Sequence, residues 1–170
     1  MKLCKSYRST FEITDFSQKI QTNHELEPII RHGEPPAILR FEDVKQEILG
    51  IFSIISSFKK SGYTSLGIVC KTETQARELS ENLRVHTGDI HFLSNQSSAF
   101  VKGIIVTSSH MAKGLEFDEV IVPYVNAKNY NSAIDKSMLY VAVTRAMHRL
   151  TLTYNGRPSE FIPASSDQNF

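Results

Sequence analysis

The sequence has no tryptophan and only two cysteines in 170 residues. Cys4 and Cys70 lie far apart in apolar segments, without CxxC or Cys/His ligand spacing. A disulfide framework and a thiolate metal site are thereby excluded, and both thiols are expected reduced and buried. Long hydrophobic runs are also missing. Stretches such as Leu66 to Cys70 and Val120 to Val125 fall far below the roughly 20 residues of a membrane span, and no cationic-then-apolar signal opens the chain. No membrane partner is expected, and the location expected is cytosolic. Neither sign of charge dominates: 19 basic against 18 acidic residues leave +1, which supplies no global field for a polyanion, so any nucleic-acid contact must be local. The chain also lacks G-x-x-x-x-G-K-[ST] and an Asp-Glu strand end for Mg²⁺, so on its own it cannot cradle a β-phosphate.

What is present reads as a folded α/β chain. An apolar content of 41% with 22% charged residues is ordinary for a globule able to sustain one core, expected over residues 1–163 with a polar tail at 164–170 that frays. Lys2 to Tyr7 is expected as a short strand, and Ser9-x-x-Glu12 as a capping box opening a helix through about Gln21. Residues 23–42, with Pro28, Gly33, Pro35 and Pro36, interrupt regular structure. Asp43-x-x-Gln46 then starts a helix with apolar positions Val44, Ile48, Ile51, Phe52, Ile55 and Phe58 at helical spacing. Leu66 to Cys70 is a buried-strand run, and Thr72-x-x-Gln75 caps the helix after it. Further strands are expected at Ile90 to Leu93, Gly103 to Thr107, Glu119 to Val125 and Leu150 to Tyr154, with a helix from about Asp135 to Met147. This alternation predicts three layers, a mostly parallel sheet with helices on both faces, and functional residues at the carboxyl ends of strands.

Several side chains could carry chemistry, each with a plainer alternative. On the predicted helix Asp135 to Met147, Arg145 falls beside the stripe of Leu139, Ala142, Val143 and Ala146, so it either reaches sideways to a ligand or is a solvated cation favoured near a helix carboxyl end. In Lys113-Gly114-Leu115-Glu116, Gly114 permits a positive φ or close backbone approach. Glu116 either accepts the two hydroxyls of a ribose or pairs with Lys113 at the surface. His110 is either a ligand contact or a structural histidine. Arg8 stands at the mouth of the helix beginning near Thr10, where it either completes a phosphate site or covers Tyr7 with its stem. Ser108, His110 and Asp118 lack a G-x-S-x-G elbow and make a poor hydrolase triad.

Taken in order, these segments resemble the second RecA-like motor domain (2A) of UvrD/Rep-like superfamily 1 helicases. Ser6-Tyr7-Arg8-Ser9-Thr10 is similar to motif IV, and Ile68-Val69-Cys70-Lys71-Thr72 to motif IVa. Ser108-x-His110-x-Ala112-Lys113-Gly114-Leu115-Glu116-Phe117 is similar to motif V, and Leu139-Tyr140-Val141-Ala142-Val143-Thr144-Arg145-Ala146 to motif VI. Arg157-Pro158-Ser159-Glu160-Phe161 resembles the PS-x-F ending of such domains. The resemblance implies a RecA-like, P-loop NTPase-type fold without its own P-loop. It implies arginine fingers at Arg8 and Arg145 for a γ-phosphate, a ribose contact at Glu116 beside Gly114, and single-strand contacts at Ser108 and His110, with Lys71 and Thr72 as weaker candidates. It implies no metal ligand in this chain: ATP and Mg²⁺ would be held mainly by an N-terminal RecA-like domain of the same parent protein, and the strand would be single-stranded DNA. About twenty residues separate Leu83 from Gly103, too few for the helical 2B insertion of Rep-type enzymes. Ser6, Ser108 and the Lys113-Gly114-Leu115-Glu116-Phe117-Asp118 form look closer to the HelD and helicase IV branch, which includes a motor acting on RNA polymerase. The alternatives are that polymerase-remodelling motor, a stand-alone protein-binding module without ATPase activity, and a nucleotide-binding sensor.

Overall fold

A computed structural model of the chain describes residues 9–22, 31–94 and 102–163, with the backbone of 168–169. In chain order its elements are α1 (Phe11–Ile20), β1 (Ala37–Phe41), α2 (Val44–Lys59), β2 (Ser65–Cys70), α3 (Glu73–Arg84), β3 (Ile90–Phe92), β4 (Gly103–Ser108), α4 (Ser109–Ala112), β5 (Phe117–Val122), α5 (Ala133–Val143), β6 (Ala146–Asn155) and β7 (Gln168–Asn169). The strands form one sheet in the order β3-β4-β2-β5-β6-β1-β7, and every ladder is parallel. The expected strand at Lys2 to Tyr7 lies outside the described residues.

Period-two alternation gives the sheet two buried faces. Leu66, Ile68, Cys70, Ile104, Val106 and Ile121 point to one side, where Ile51, Ile55 and Phe58 of α2 and Ala76, Leu79 and Leu83 of α3 cover them. Val69, Ile105, Val120, Val122, Leu150 and Leu152 point to the other, under Ile13, Phe16 and Ile20 of α1 and Leu139, Ala142 and Val143 of α5. Each Leu or Ile fully buried in these layers contributes roughly 1.5–3 kcal/mol. Gly67 has no Cβ because the Phe117 ring lies there: a Cβ would sit 2.4 Å from its Cδ2. The first residue of β5 is therefore seated on the middle of β2.

The caps at Asp43 and Thr72 form as expected, each accepting a backbone N–H three residues on. Other boundaries differ. Thr10 rather than Ser9 caps α1, because the Ser9 hydroxyl donates to Ala146 O at 2.7 Å, and Glu12 turns to His32 and the Gly33 N–H instead of closing a capping box. The proline-rich stretch 23–42 contains β1, which pairs with β6 immediately after Pro35 and Pro36. α5 starts at Ala133, with Asp135 in a capping box with Ser132, and stops at Val143, because β6 begins at Ala146. Residues 168–169, in the tail expected to fray, lie parallel to β1. Among the described residues no helix is long and apolar enough to cross a membrane.

Candidate functional site

In a parallel sheet each helix carries the chain back from the carboxyl edge to the amino edge, so a residue just after a helix sits at an amino end. Arg145 lies in the turn entering β6 and Glu116 in the turn entering β5, and the first residues of those strands, Ala146 and Phe117, are partners in register. The expectation of carboxyl-end placement is thus corrected for both residues: they share the amino edge.

Arg145 is half-buried and held by three oxygens. Its Nε donates to Val141 O at 3.2 Å, Nη1 to Leu115 O at 3.3 Å and Nη2 to Thr144 Oγ1 at 3.3 Å. The backbone closes the same seam, since the Phe117 N–H donates to Arg145 O at 3.0 Å. Burial pulls the guanidinium pKa down from its ordinary value, while the Glu116 carboxylate and Tyr140 hold it up. Glu116 itself is exposed, as are Lys113 and Gly114. Gly114 has φ +81°, the left-handed turn that only glycine adopts without strain. The exposed carboxylate therefore acts electrostatically on the half-buried guanidinium across this seam.

A third segment joins them. Ser9 bonds to Ala146, the Thr10 N–H donates to Met147 O at 3.2 Å, and Arg31 Nη2 donates to the same oxygen at 3.0 Å. Arg8 precedes this contact and lies outside the described residues. Sequence reasoning missed Arg31, whose placement depends on a chain crossing that no local pattern signals.

The strand-contact candidates occupy the opposite, carboxyl edge. β4 ends at Ser108, whose hydroxyl caps α4 by accepting the Met111 N–H at 3.3 Å, so its side chain is largely committed. His110 is exposed on α4, beside a 220 Å³ cleft toward α5 lined by Lys113, Ile134, Ser137, Met138 and Val141. Thr72 caps α3, accepting from Gln75 N at 3.2 Å. Lys71 faces inward: its Nζ lies 2.9 Å from Asp135 Oδ1 and donates to Asn129 O at 2.6 Å. Asp118, at the amino edge, accepts from Thr64 and Ser65, far from Ser108 and His110. That separation removes the hydrolase triad. Among the described residues no three His, Cys, Asp or Glu side chains are grouped to hold a metal.

Comparison with known proteins bears on the fold. Residues 103–153, which hold both amino-edge turns and the tip of β4, match the UvrD-like helicase C-terminal domain family. The C-terminal domain of a possible DNA helicase from Lactobacillus plantarum WCFS1 is similar at 27% identity and TM-score 0.78, over 92% of each chain. The arterivirus nonstructural protein 10 helicase in complex with DNA aligns at 13% identity and TM-score 0.49, over 71% of this chain and 28% of its own. No curated protein matches the chain in sequence. The chain has the RecA-like α/β fold of a helicase C-terminal domain, and its residues 103–153 are similar to the UvrD-like family of such domains.

Proposed function

We propose that this chain is the second motor domain of an ATP-dependent DNA helicase or translocase, working in the cytosol against an N-terminal RecA-like lobe of the same parent protein. The observation that carries the reading is the amino-edge seam, where the Arg145 guanidinium bonds to Leu115 O with the Glu116 carboxylate beside it. A guanidinium has five N–H donors. With one bond each from Nε, Nη1 and Nη2 to protein, Arg145 keeps donors for an incoming phosphate oxygen. ATP, held with Mg²⁺ chiefly by the other lobe, would supply the phosphoryl group whose transfer to water drives the cycle. Here Arg145, together with Arg8, stabilises charge on the γ-phosphate; Glu116 accepts the ribose hydroxyls, and Gly114 lets the backbone approach.

The carboxyl edge holds the single strand. His110 is exposed there, and Ser108 presents the backbone at the tip of β4. Lys71 and Thr72 stand behind this contact, because the ammonium is engaged inside the fold and the exposed Thr72 hydroxyl is committed to capping α3. Closure of the lobes on ATP and their release after hydrolysis would alternate the grip on the strand. A motor of the HelD kind with RNA polymerase as its partner is the second reading, favoured by the Lys113–Asp118 sequence form.

The deciding experiment is strand-stimulated ATPase of the full-length protein carrying Arg145→Ala. Arginine fingers contribute about 10³ to 10⁵ in rate, so turnover should fall by about 10³-fold or more with folding retained. Near-normal turnover removes the assignment.

A further inference from the structure

One element touches both edges. α5 begins at Ala133 above the strand tips and ends at Val143, next to Thr144 and Arg145; its 11 residues span about 16 Å at 1.5 Å each. Leu139, Ala142 and Val143 are fully buried along it, so it moves with the core rather than bending alone. At its far end Arg145 Nε returns to Val141 O, which fixes the arginine to the last helical turn.

Its near end is fastened by a divided carboxylate. Asp135 Oδ2 accepts the N–H groups of Asn131 and Ser132 and so holds the helix start, while Oδ1 meets the Lys71 ammonium at 2.9 Å. Lys71 follows the last residue of β2, and β2 pairs with β4 up to Cys70↔Ser108, one residue before the α4 turn that carries His110. The two side chains are 20% and 9% exposed, the Tyr130 ring lies 5.9 Å from Nζ, and Asn129 O takes another of its protons. Removing one member of a pair so shielded leaves the other charge uncompensated, so the tie holds as long as both are present. The carboxylate is kept well ionised: although burial opposes it, the hydrogen bonds from Asn131, Lys71 and Ser132 lower Asp135 to about 2.

We propose that the Lys71–Asp135 pair is a positioning device that ties the strand-binding edge to Arg145 through α5, so that occupancy of one edge is felt at the other. This rests on the nucleotide-and-strand reading above and goes beyond it by naming the mechanical link. Lys71 then acts as a positioning residue rather than as a strand contact. Linkage makes the effect reciprocal: a strand that shifts β2 and α4 biases Arg145, and an anion on Arg145 biases the strand edge by the same factor, typically 5–150-fold.

The test uses this chain, labelled for amide NMR and titrated with a short oligo-dT. In the native sequence the amides of His110 and of Thr144 to Ala146 should shift together. In Lys71→Met the shifts around His110 should persist while those of Thr144 to Ala146 disappear, and Lys71→Arg should restore them. Shifts at residues 144–146 that survive Lys71→Met overturn the tie, as does loss of oligonucleotide binding in that variant, which would make Lys71 a strand contact. Native His110 shifts without a response at 144–146 also overturn it while leaving the strand reading intact; no shift at His110 sinks both. Should Lys71→Met fail to fold, Asp135→Asn keeps an acceptor for the helix start and serves in its place. In the full-length protein the ratio of strand-stimulated to strand-free ATP turnover should fall about tenfold in Lys71→Met, within the usual range of couplings; an unchanged ratio refutes the link.

Discussion

The two edges of the sheet hold their charged groups in different ways. At the amino edge Arg145 makes three hydrogen bonds at 3.2–3.3 Å, all long for an N–H donor, to groups that are neutral. At the carboxyl edge the bonds of Glu47 and Lys71 are shorter. Glu47, fully buried on α2, accepts from Asn155 Nδ2 at 2.6 Å, Thr153 Oγ1 at 2.8 Å and Tyr124 N at 2.9 Å, and Lys71 donates at 2.6 Å. A guanidinium anchored to the last turn of α5 by long bonds to neutral groups can still tilt its remaining donors toward an anion, whereas a tightly bonded network fixes the backbone around it. The amino edge is thus suited to chemistry, and the carboxyl edge to presenting a rigid rim. Tyr124 shows the rim's stiffness, since it holds φ +61°, rare for a side chain of its size, with its N–H on Glu47.

After the loss of turnover expected for Arg145→Ala, the largest effect should be structural. Glu47→Leu strands three donors, one of them fully buried and two half-buried, at roughly 1–3 kcal/mol each, so about 3–5 kcal/mol of stability should be lost in denaturant unfolding. A loss under about 1 kcal/mol would dissolve the contrast between the edges.

Glu119, in the amino half of β5, is the counterpart. It is 2% exposed, its Oε2 makes no hydrogen bond, and its nearest cation is Arg149 at 3.8 Å, which Glu34 also engages at 3.5 Å. Burial raises its carboxyl from 4.5 to about 7, with Arg149 opposing and Glu34 adding. The folded state therefore keeps a proton that the unfolded chain releases, and stability falls as pH rises from 4.5 to about 7. At about 1.36 kcal/mol per pH unit the fall is on the order of 3 kcal/mol. Glu119→Gln should lack this component in unfolding curves taken at pH 5 and pH 8; a pH profile parallel to the native one would count against it. Glu47, also raised by burial, contributes a fall of the same sign in both proteins and cancels from the difference.

Smaller effects separate the edges functionally. Glu116→Ala in the full-length protein should raise the ATP KM about tenfold, the loss expected when a charged hydrogen-bond acceptor is removed, and an unchanged KM returns Glu116 to the surface. His110→Ala should weaken oligo-dT binding about fivefold in fluorescence anisotropy, and unaltered affinity would detach that edge from the strand.

The parts of this layout visible in the sequence are those governed by local rules. Asp43 and Thr72 announce helix starts because a cap needs only three following residues, and β2 and β4 announce themselves as continuous apolar runs buried on both faces. Where two local options compete, tertiary contacts decide. Ser9 and Thr10 are both cap formers, and Ala146 claims Ser9. β1 hides behind two prolines, and the start of β6 hides in Met147, His148 and Arg149, which are only half-buried and break the apolar run. Arg145 and Glu116 were identifiable as residues, but their shared edge was not, because it follows from where each helix stops. The role of Asp135 was invisible: its partner Lys71 is brought to it only by the packing of β2 against β5.

The seat of the Phe117 ring over Gly67 carries this into the working cycle. Because an aromatic ring pinned to the centre of the sheet precedes any ligand, the carboxylate one residue before it would not, on the function proposed above, have to be gathered from a wandering loop when a nucleotide arrives. The entropy of placing that acceptor would then be spent during folding, once, instead of at every turnover.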